Sequence, residues 1–259
     1  MNQGHADRAL TEFRALIPAR SGSKAIKNKN LSRYAGFTLL EYSIAAARLL
    51  LPVEDVWVST DSEEYAEVAV LAGASVKFLR PAEFAQDHST DLEVFSHAIQ
   101  YEGNHESKTA LYWLHLRPTT PLRNPEVLRR AIECFLAHPG NPSALRSAHE
   151  SRFQVMKWCL EGEYGFLTGL NGDSNLDAIN GPRQKYSPVL IPNGYIDIIR
   201  AENIRKGILH GSRCLGFLTP LVSDIDSIDD MRRLEAAGNR APELEAWLTS
   251  HYDSDPKSR

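Results

Sequence analysis

Cysteine is scarce in this chain: Cys134, Cys159 and Cys214 are the only three in 259 residues. None forms a CxxC pair or stands at a His/Cys zinc spacing. A disulfide framework and a thiolate metal centre are therefore both excluded as organising principles. The thiols read as spectators in a reducing compartment. Long apolar runs are missing too, so no segment reads as a bilayer span. The first residues, MNQGHADRALTEF, lack the continuous apolar stretch of a secretion signal and read as a loose leader over 1–12. The expected location is the cytoplasm, with no membrane partner. Excess positive charge is absent: 29 Lys and Arg against 33 Asp and Glu leave a formal net charge of -4. That balance excludes a general nucleic-acid binder. Neither GxxxxGK[ST] nor GxGxxG occurs, which removes the P-loop and the dinucleotide fingerprint.

What is present is a rhythm of apolar strands and amphipathic helices. FRALIPA (13–19), EDVWVSTD (54–61), SVKFLRP (75–81), ALYWLHL (110–116) and SALRSAHE (143–150) read as strands. Helices are expected at 38–51 with Thr38 as N-cap, at 62–74, at 89–102, and at 124–137 with Pro125 at the first helical position. This alternation predicts an α/β fold, a Rossmann-like, mostly parallel sheet with helices on both faces. The segment 152–190 is turn-rich and reads as an excursion from one domain over 13–240. PVLIPNGYIDIIR then returns as a strand, ENIRKGILHG as a helix ending at Gly211, and 241–259 as a helix end with a polar tail.

Three groups of residues carry chemistry. LIPARSGSKAIKNKNL (16–31) is a strand feeding a loop with Arg20, Ser21, Gly22, Lys24, Lys27, Lys29 and Asn30. Backbone N–H groups and fixed cations in such a loop suit a phosphate. A second set follows other strands: Ser59 and Asp61, with Asp61 or Ser62 also placed to cap a helix; Arg80; and Arg117, Thr119, Thr120 and Arg123 in a proline-stiffened turn. Asn193-Gly194 interrupts an apolar stretch, either as a hairpin turn or as a close backbone approach. The third is DIDSIDD: Asp224, Asp226, Asp229 and Asp230 within seven residues. One or two of these cap the helix that follows, and an alternating pair on an extended segment suits Mg²⁺ or Mn²⁺. A phosphate cradle and a hard-metal site together indicate nucleotidyl transfer.

These strings, in order, resemble the acylneuraminate cytidylyltransferases, the CMP-nonulosonate synthetases related to CMP-KDO synthetase. IPARSGSKAIKNKN is similar to the family's signature loop; VSTDSEEYAEVA, LRPAEFAQDHSTD, LRPTTPLRNPE, the Arg183-Gln184 pair, PNGYIDII and DIDSIDD are similar to its later motifs. The resemblance covers residues 14 to about 235. It implies transfer of CMP from CTP to the anomeric hydroxyl of an acidic 2-keto sugar, nine-carbon or related, for surface glycans. It also implies a Mg²⁺ (or Mn²⁺) requirement and a homodimer built on the 152–190 excursion. Carried over by motif, Arg20, Ser21, Gly22, Lys29, Asn30 and Arg80 hold the nucleotide. Arg117, Thr120, Arg123, Arg183, Gln184 and Tyr195 line the sugar side, and Asp224 and Asp226 bind metal. The alternatives are another nucleotide or a sugar-phosphate acceptor, and a non-catalytic binding protein of the same fold. The chain departs from the family pattern in several places. Ser21 and Ala25 stand for glycines of the common ARGGSKGIPRKN, Lys27 for its proline and Asn28 for a basic residue. Arg117 stands where sialic-acid enzymes more often carry Gln, and NGYIDI replaces NGAIYI. These changes point toward legionaminate-type or KDO-like acids as much as N-acetylneuraminate.

Overall fold

Six strands make the central sheet of the computed structural model, which describes residues 10–170 and 172–254 and omits the Arg183 side chain. The strands in chain order are β1 (Phe13–Pro18), β2 (Arg33–Tyr34), β3 (Phe37–Thr38), β4 (Val56–Ser59), β5 (Tyr112–His115), β6 (Ala144–Glu150), β7 (Cys159–Glu161), β8 (Leu167–Gly169), β9 (Leu190–Arg200) and β10 (Cys214–Leu218). The helices are α1 (Leu39–Arg48), α2 (Glu63–Leu71), α3 (Asp91–His105), α4 (Pro125–Ala137), α5 (Leu176–Ile179), α6 (Ala201–Arg205), α7 (Ile228–Ala237) and α8 (Pro242–Ser254). The main sheet runs β10-β6-β9-β5-β1-β4. Its pairs are parallel except at β9, which is antiparallel to both β5 and β6.

The helix starts follow from local chemistry. Thr38 and Thr90 form reciprocal capping boxes with Glu41 and Glu93, and Asn124 caps α4 with Pro125 behind it. Such caps answer backbone N–H groups that otherwise have no partner. The apolar runs of β1, β4 and β5 are buried on both faces, as a sheet covered twice requires. Phe13, Ile17, Val58, Leu114 and Ile198 belong to one core layer; Leu16, Trp57, Phe95, Trp113 and Ile199 belong to the other.

Several expectations change. SVKFLRP makes only two isolated bridges, Trp57 to Ser75 and Thr60 to Leu79, instead of a full strand. The helix expected to reach Gly211 stops at Arg205, because Gly207 turns the chain with φ of 73°. The last helix is no appendage. It runs through Ser254, and Leu244 and Leu248 are fully buried in the main core. Residues 1–9 of the expected leader and 255–259 of the polar tail lie outside the described residues. No helix among the described residues is long and apolar enough to cross a membrane.

Topology decides where a site can form. From β1 the chain passes through α1 to β4 on one side, then returns to β5 on the other. The carboxyl ends of β1 and β5 therefore diverge, and an open α/β sheet offers its ligand crevice at such a point.

Candidate active site

The crevice is occupied by a cavity of about 210 Å³, lined among others by Arg20, Lys29, Asn30, Arg80, Asp91, Arg117 and Thr119. Every one of these follows the carboxyl end of β1, β4 or β5, or starts the helix beyond. Larger concavities lie elsewhere: one of about 470 Å³ behind Arg123 and Tyr195, and a shallow one of about 660 Å³ along α2. Neither gathers the charged groups needed for phosphate chemistry.

The first loop is pinned from three directions. Ser21 donates through its backbone N (2.8 Å) and its Oγ (3.0 Å) to Asp61. The buried Asn30 Nδ2 donates to the Arg20 carbonyl at 3.1 Å. Arg20 donates to the Gly22 carbonyl and pairs with Asp87 at 2.9 Å, and Lys24 also pairs with Asp87. This resolves the earlier choice at the end of β4. Ser62 caps α2 by accepting from Tyr65, which leaves Asp61 to hold the loop. Gly22 does not have a positive φ. The left-handed residue of the loop is Asn28, with φ of 53°, a conformation asparagine tolerates better than most.

Arg80 reaches the cavity from beyond β4. Its Nε donates to Ser59 Oγ at 2.9 Å, and a second N–H meets the Ser59 carbonyl. Burial pushes its pKa down to about 10, with Asp61 pulling upward and Arg20 downward. Among the described residues no carboxylate is paired with it. A desolvated cation without a counter-ion is a strong anion receptor.

Asp224 and Asp226 flank the fully buried Ile225 and are both exposed. The Ile225 backbone N donates to the Thr119 carbonyl at 2.8 Å, fastening this segment to the cavity-lining loop after β5. Asp226 accepts from Lys29, a residue of the cavity lining, at 2.9 Å. Burial and the neighbouring Asp226 push the Asp224 carboxyl up against a hydrogen bond from Thr119. The other aspartates are occupied: Asp230 completes a capping box with Ser227, and Asp229 pairs with Arg232 at 3.0 Å. Among the described residues no cluster of three or more His, Cys, Asp or Glu is arranged around a cation.

The sugar-side expectations divide. Arg117 lines the cavity. Thr120, Arg123 and Tyr195 do not: they are 1%, 2% and 3% exposed, and the fold itself engages their polar atoms. Arg123 donates to the carbonyls of Tyr195 (2.6 Å), Arg117 (2.8 Å) and Gly194 (3.1 Å) and to Ser43 Oγ (3.0 Å). Burial without a carboxylate partner pushes its pKa down to about 9. Thr120 Oγ1 donates to the Asn193 carbonyl at 3.2 Å. The Tyr195 ring lies beneath the Arg123 guanidinium at 6.0 Å. These three build the wall that holds Arg117. Asn193-Gly194 is the close backbone approach and not a hairpin turn. Gly194 has φ of 65°, and a Cβ there would meet Thr120 Oγ1 at 3.3 Å and Arg117 at 3.4 Å. Gln184 is exposed and lines a separate cavity of about 230 Å³ in the excursion; the Arg183 side chain lies outside the described residues.

Sequence reasoning passed over a second shell of charge. His115, Asp197 and Arg146 are register partners on β5, β9 and β6. His210 approaches Asp197 to 3.6 Å. No linear motif announces such a row, because strand pairing alone assembles it.

The chain matches the family model described as "Cytidylyltransferase" over residues 14–152, more than half its length. It is 40% identical over 123 residues to the CMP-N,N'-diacetyllegionaminic acid synthase of Legionella pneumophila, which covers 46% of this chain and 51% of that protein. It is 29% identical over 226 residues to an N-acylneuraminate cytidylyltransferase of Streptococcus agalactiae, covering 83% of this chain and 50% of that protein. The chain thus spans about half the length of these two relatives. Among solved structures, a CMP:2-keto-3-deoxy-manno-octonic acid synthetase complexed with CTP has the same fold, with a TM-score of 0.62 at 15% identity over 87% of this chain and 98% of that one. The motifs, the crevice and these matches agree: the chain belongs to the cytidylyltransferase family.

Proposed function

We propose that this protein transfers CMP from CTP to the anomeric hydroxyl of an acidic 2-keto sugar of the nonulosonate class, releasing pyrophosphate. The observation that carries the reading is the cavity lined by Arg20, Lys29, Asn30 and the uncompensated Arg80, with Asp226 paired to Lys29. Arg20, Lys29 and Arg80 bind the triphosphate and take up the charge that develops on the leaving pyrophosphate. The acceptor oxygen forms its bond to the α-phosphorus as the α–β bridge bond breaks. The hydroxyl proton leaves toward the carboxylate pair, where burial raises the Asp224 pKa and suits it to accept a proton. Most of the catalysis is positioning by groups already fixed by the fold.

The acidic pair fits a Mg²⁺ or Mn²⁺ requirement. Two oxygen ligands at a phosphate site are what Mg²⁺ takes from a protein, the remainder coming from water and substrate phosphates. The Lys29 ammonium already sits 2.9 Å from Asp226, so the pair accommodates a cation. Asp224 and Asp226 would hold the ion, which would supply Lewis-acid polarisation of the phosphate oxygens. We read the protein as a cytoplasmic homodimer joined through the excursion. There Phe153, Trp158, Leu160, Tyr164, Phe166 and Leu167 are all exposed, an apolar group of the kind a protein interface covers.

The test is pyrophosphate release from each of the four nucleoside triphosphates with Mg²⁺ and a panel of 2-keto acid sugars and sugar phosphates. Release with CTP and a 2-keto acid supports the reading. Release only with another triphosphate, or only with a sugar phosphate, replaces it.

A further inference from the structure

The guanidinium of Arg117 is held at the cavity wall by two carboxylates on different elements. One N–H meets Asp91 at 2.7 Å, at the first position of α3, and another meets Asp197 at 3.3 Å, in the middle of β9. Gly194 presses on the same side chain from β9. Asp91 and Arg117 both line the cavity, whereas Asp197 is fully buried and touches no part of it. Burial pushes the Asp197 pKa upward, but His210, His115, Arg117 and Arg146 together bring it below the ordinary carboxylate range. Of those neighbours only Arg117 comes within hydrogen-bond distance. The others stand at 3.6 to 3.8 Å, and Asp197 Oδ1 has no hydrogen-bond partner among the described residues. A buried carboxylate with one true partner needs that partner, and Arg117 gains a fixed direction in return.

Resting on the cytidylyl-transfer reading, we propose that Asp197 is a positioning residue that sets acceptor specificity through Arg117. The two form one coupled element. Asp91 and Asp197 are matched by Arg117 and Arg146, two charges of each sign, so this end of the cavity carries no net charge and offers the remaining Arg117 N–H groups to a singly charged acid. The phosphates are left to the Arg80 end, where a cation stands unpaired.

The test compares wild type, Asp197→Asn, Arg117→Gln and the double variant in steady-state kinetics, with thermal melting to confirm folding. Asp197→Asn is expected to raise KM for the acid acceptor about tenfold and leave KM for CTP within twofold. Arg117→Gln is expected to have a similar effect alone and to add less than threefold in the Asp197→Asn background. An unchanged acceptor KM, equal movement of both KM values, or additive single effects would overturn the proposal. Inactivity of wild type with every acid would instead remove the reading beneath it. A readout independent of activity is nitrogen NMR of the Arg117 guanidinium. Hindered rotation, lost in Asp197→Asn, supports the positioning role, and equal averaging in both proteins refutes it.

Discussion

Replacing His115 should change how the protein meets acid. The ring is fully buried at the end of β5, with the Phe95 ring edge-on at 5.1 Å and neither ring nitrogen within hydrogen-bond distance of a partner. Burial, reinforced by Arg117, pushes its pKa down to about 4, although Asp91 and Asp197 at 3.8 Å pull the other way. In the unfolded chain the same group titrates near 6.5. Between those values the unfolded chain binds a proton that the folded protein refuses, so stability rises with pH across the window and falls as pH drops through it. At about 1.4 kcal/mol per pH unit, the loss from pH 6.5 to pH 4 is roughly 3 kcal/mol, a large share of a typical domain's 5–15 kcal/mol. Asp91 and Asp197, whose pKa values are lowered by folding, act in a separate window. Their contribution is complete above the unfolded carboxylate pKa and is lost only below it. Urea unfolding at half-unit pH steps, followed by the fluorescence of the buried Trp57 and Trp113, measures the curve. His115→Phe should flatten it between pH 6.5 and 4 and leave the fall below pH 4 in place. Parallel curves for the two proteins would refute the reasoning.

Three further outcomes follow from particular contacts. Arg123→Ala removes donors from three carbonyls and Ser43 and should cost roughly 4 kcal/mol; calorimetry should show a Tm lower by roughly 8–16 °C. Asp61→Ala frees the first loop by deleting two hydrogen bonds from Ser21. Charge-assisted bonds of about 1.5–3 kcal/mol predict a rise in KM for CTP of roughly ten- to a hundredfold with little change in Tm, read by initial rates. Asp226→Asn should abolish turnover and keep measurable CTP binding by calorimetric titration, because Arg20, Lys29 and Arg80 remain; full activity at saturating Mg²⁺ would exclude Asp226 as a metal ligand.

Much of the fold was legible because its determinants are local. Thr38, Thr90 and the Asn124-Pro125 pair mark helix starts through hydrogen bonds only a few residues long, and buried strands show as apolar runs; at the start of α7 the cap is Ser227 and not one of the aspartates the sequence suggested. The loop carrying Arg20 and Lys29 and the outward pair Asp224 and Asp226 were legible for a similar reason: each group is contiguous. What the sequence withheld depends on pairing over long separations. That Arg123, Thr120 and Tyr195 face inward is set by the packing of β9 against the loop after β5, and no spacing rule reports which side of that loop meets solvent. The row of His115, Asp197 and Arg146 exists only once β9 enters between β5 and β6 in antiparallel register. Asp61 shows both sides. Its type suited a cap, but Ser62 took that role, and only the tertiary contact with Ser21 reveals what Asp61 holds.

The most direct test of the central claim is to identify the product. Protein, CTP, Mg²⁺ and a nine-carbon 2-keto acid would be followed by phosphorus NMR. The account predicts that the triphosphate signals give way to one phosphodiester resonance, that of the CMP-linked sugar, with one equivalent of pyrophosphate. Conversion of CTP to free CMP without a sugar adduct, or an unchanged triphosphate with every acid offered, would contradict it.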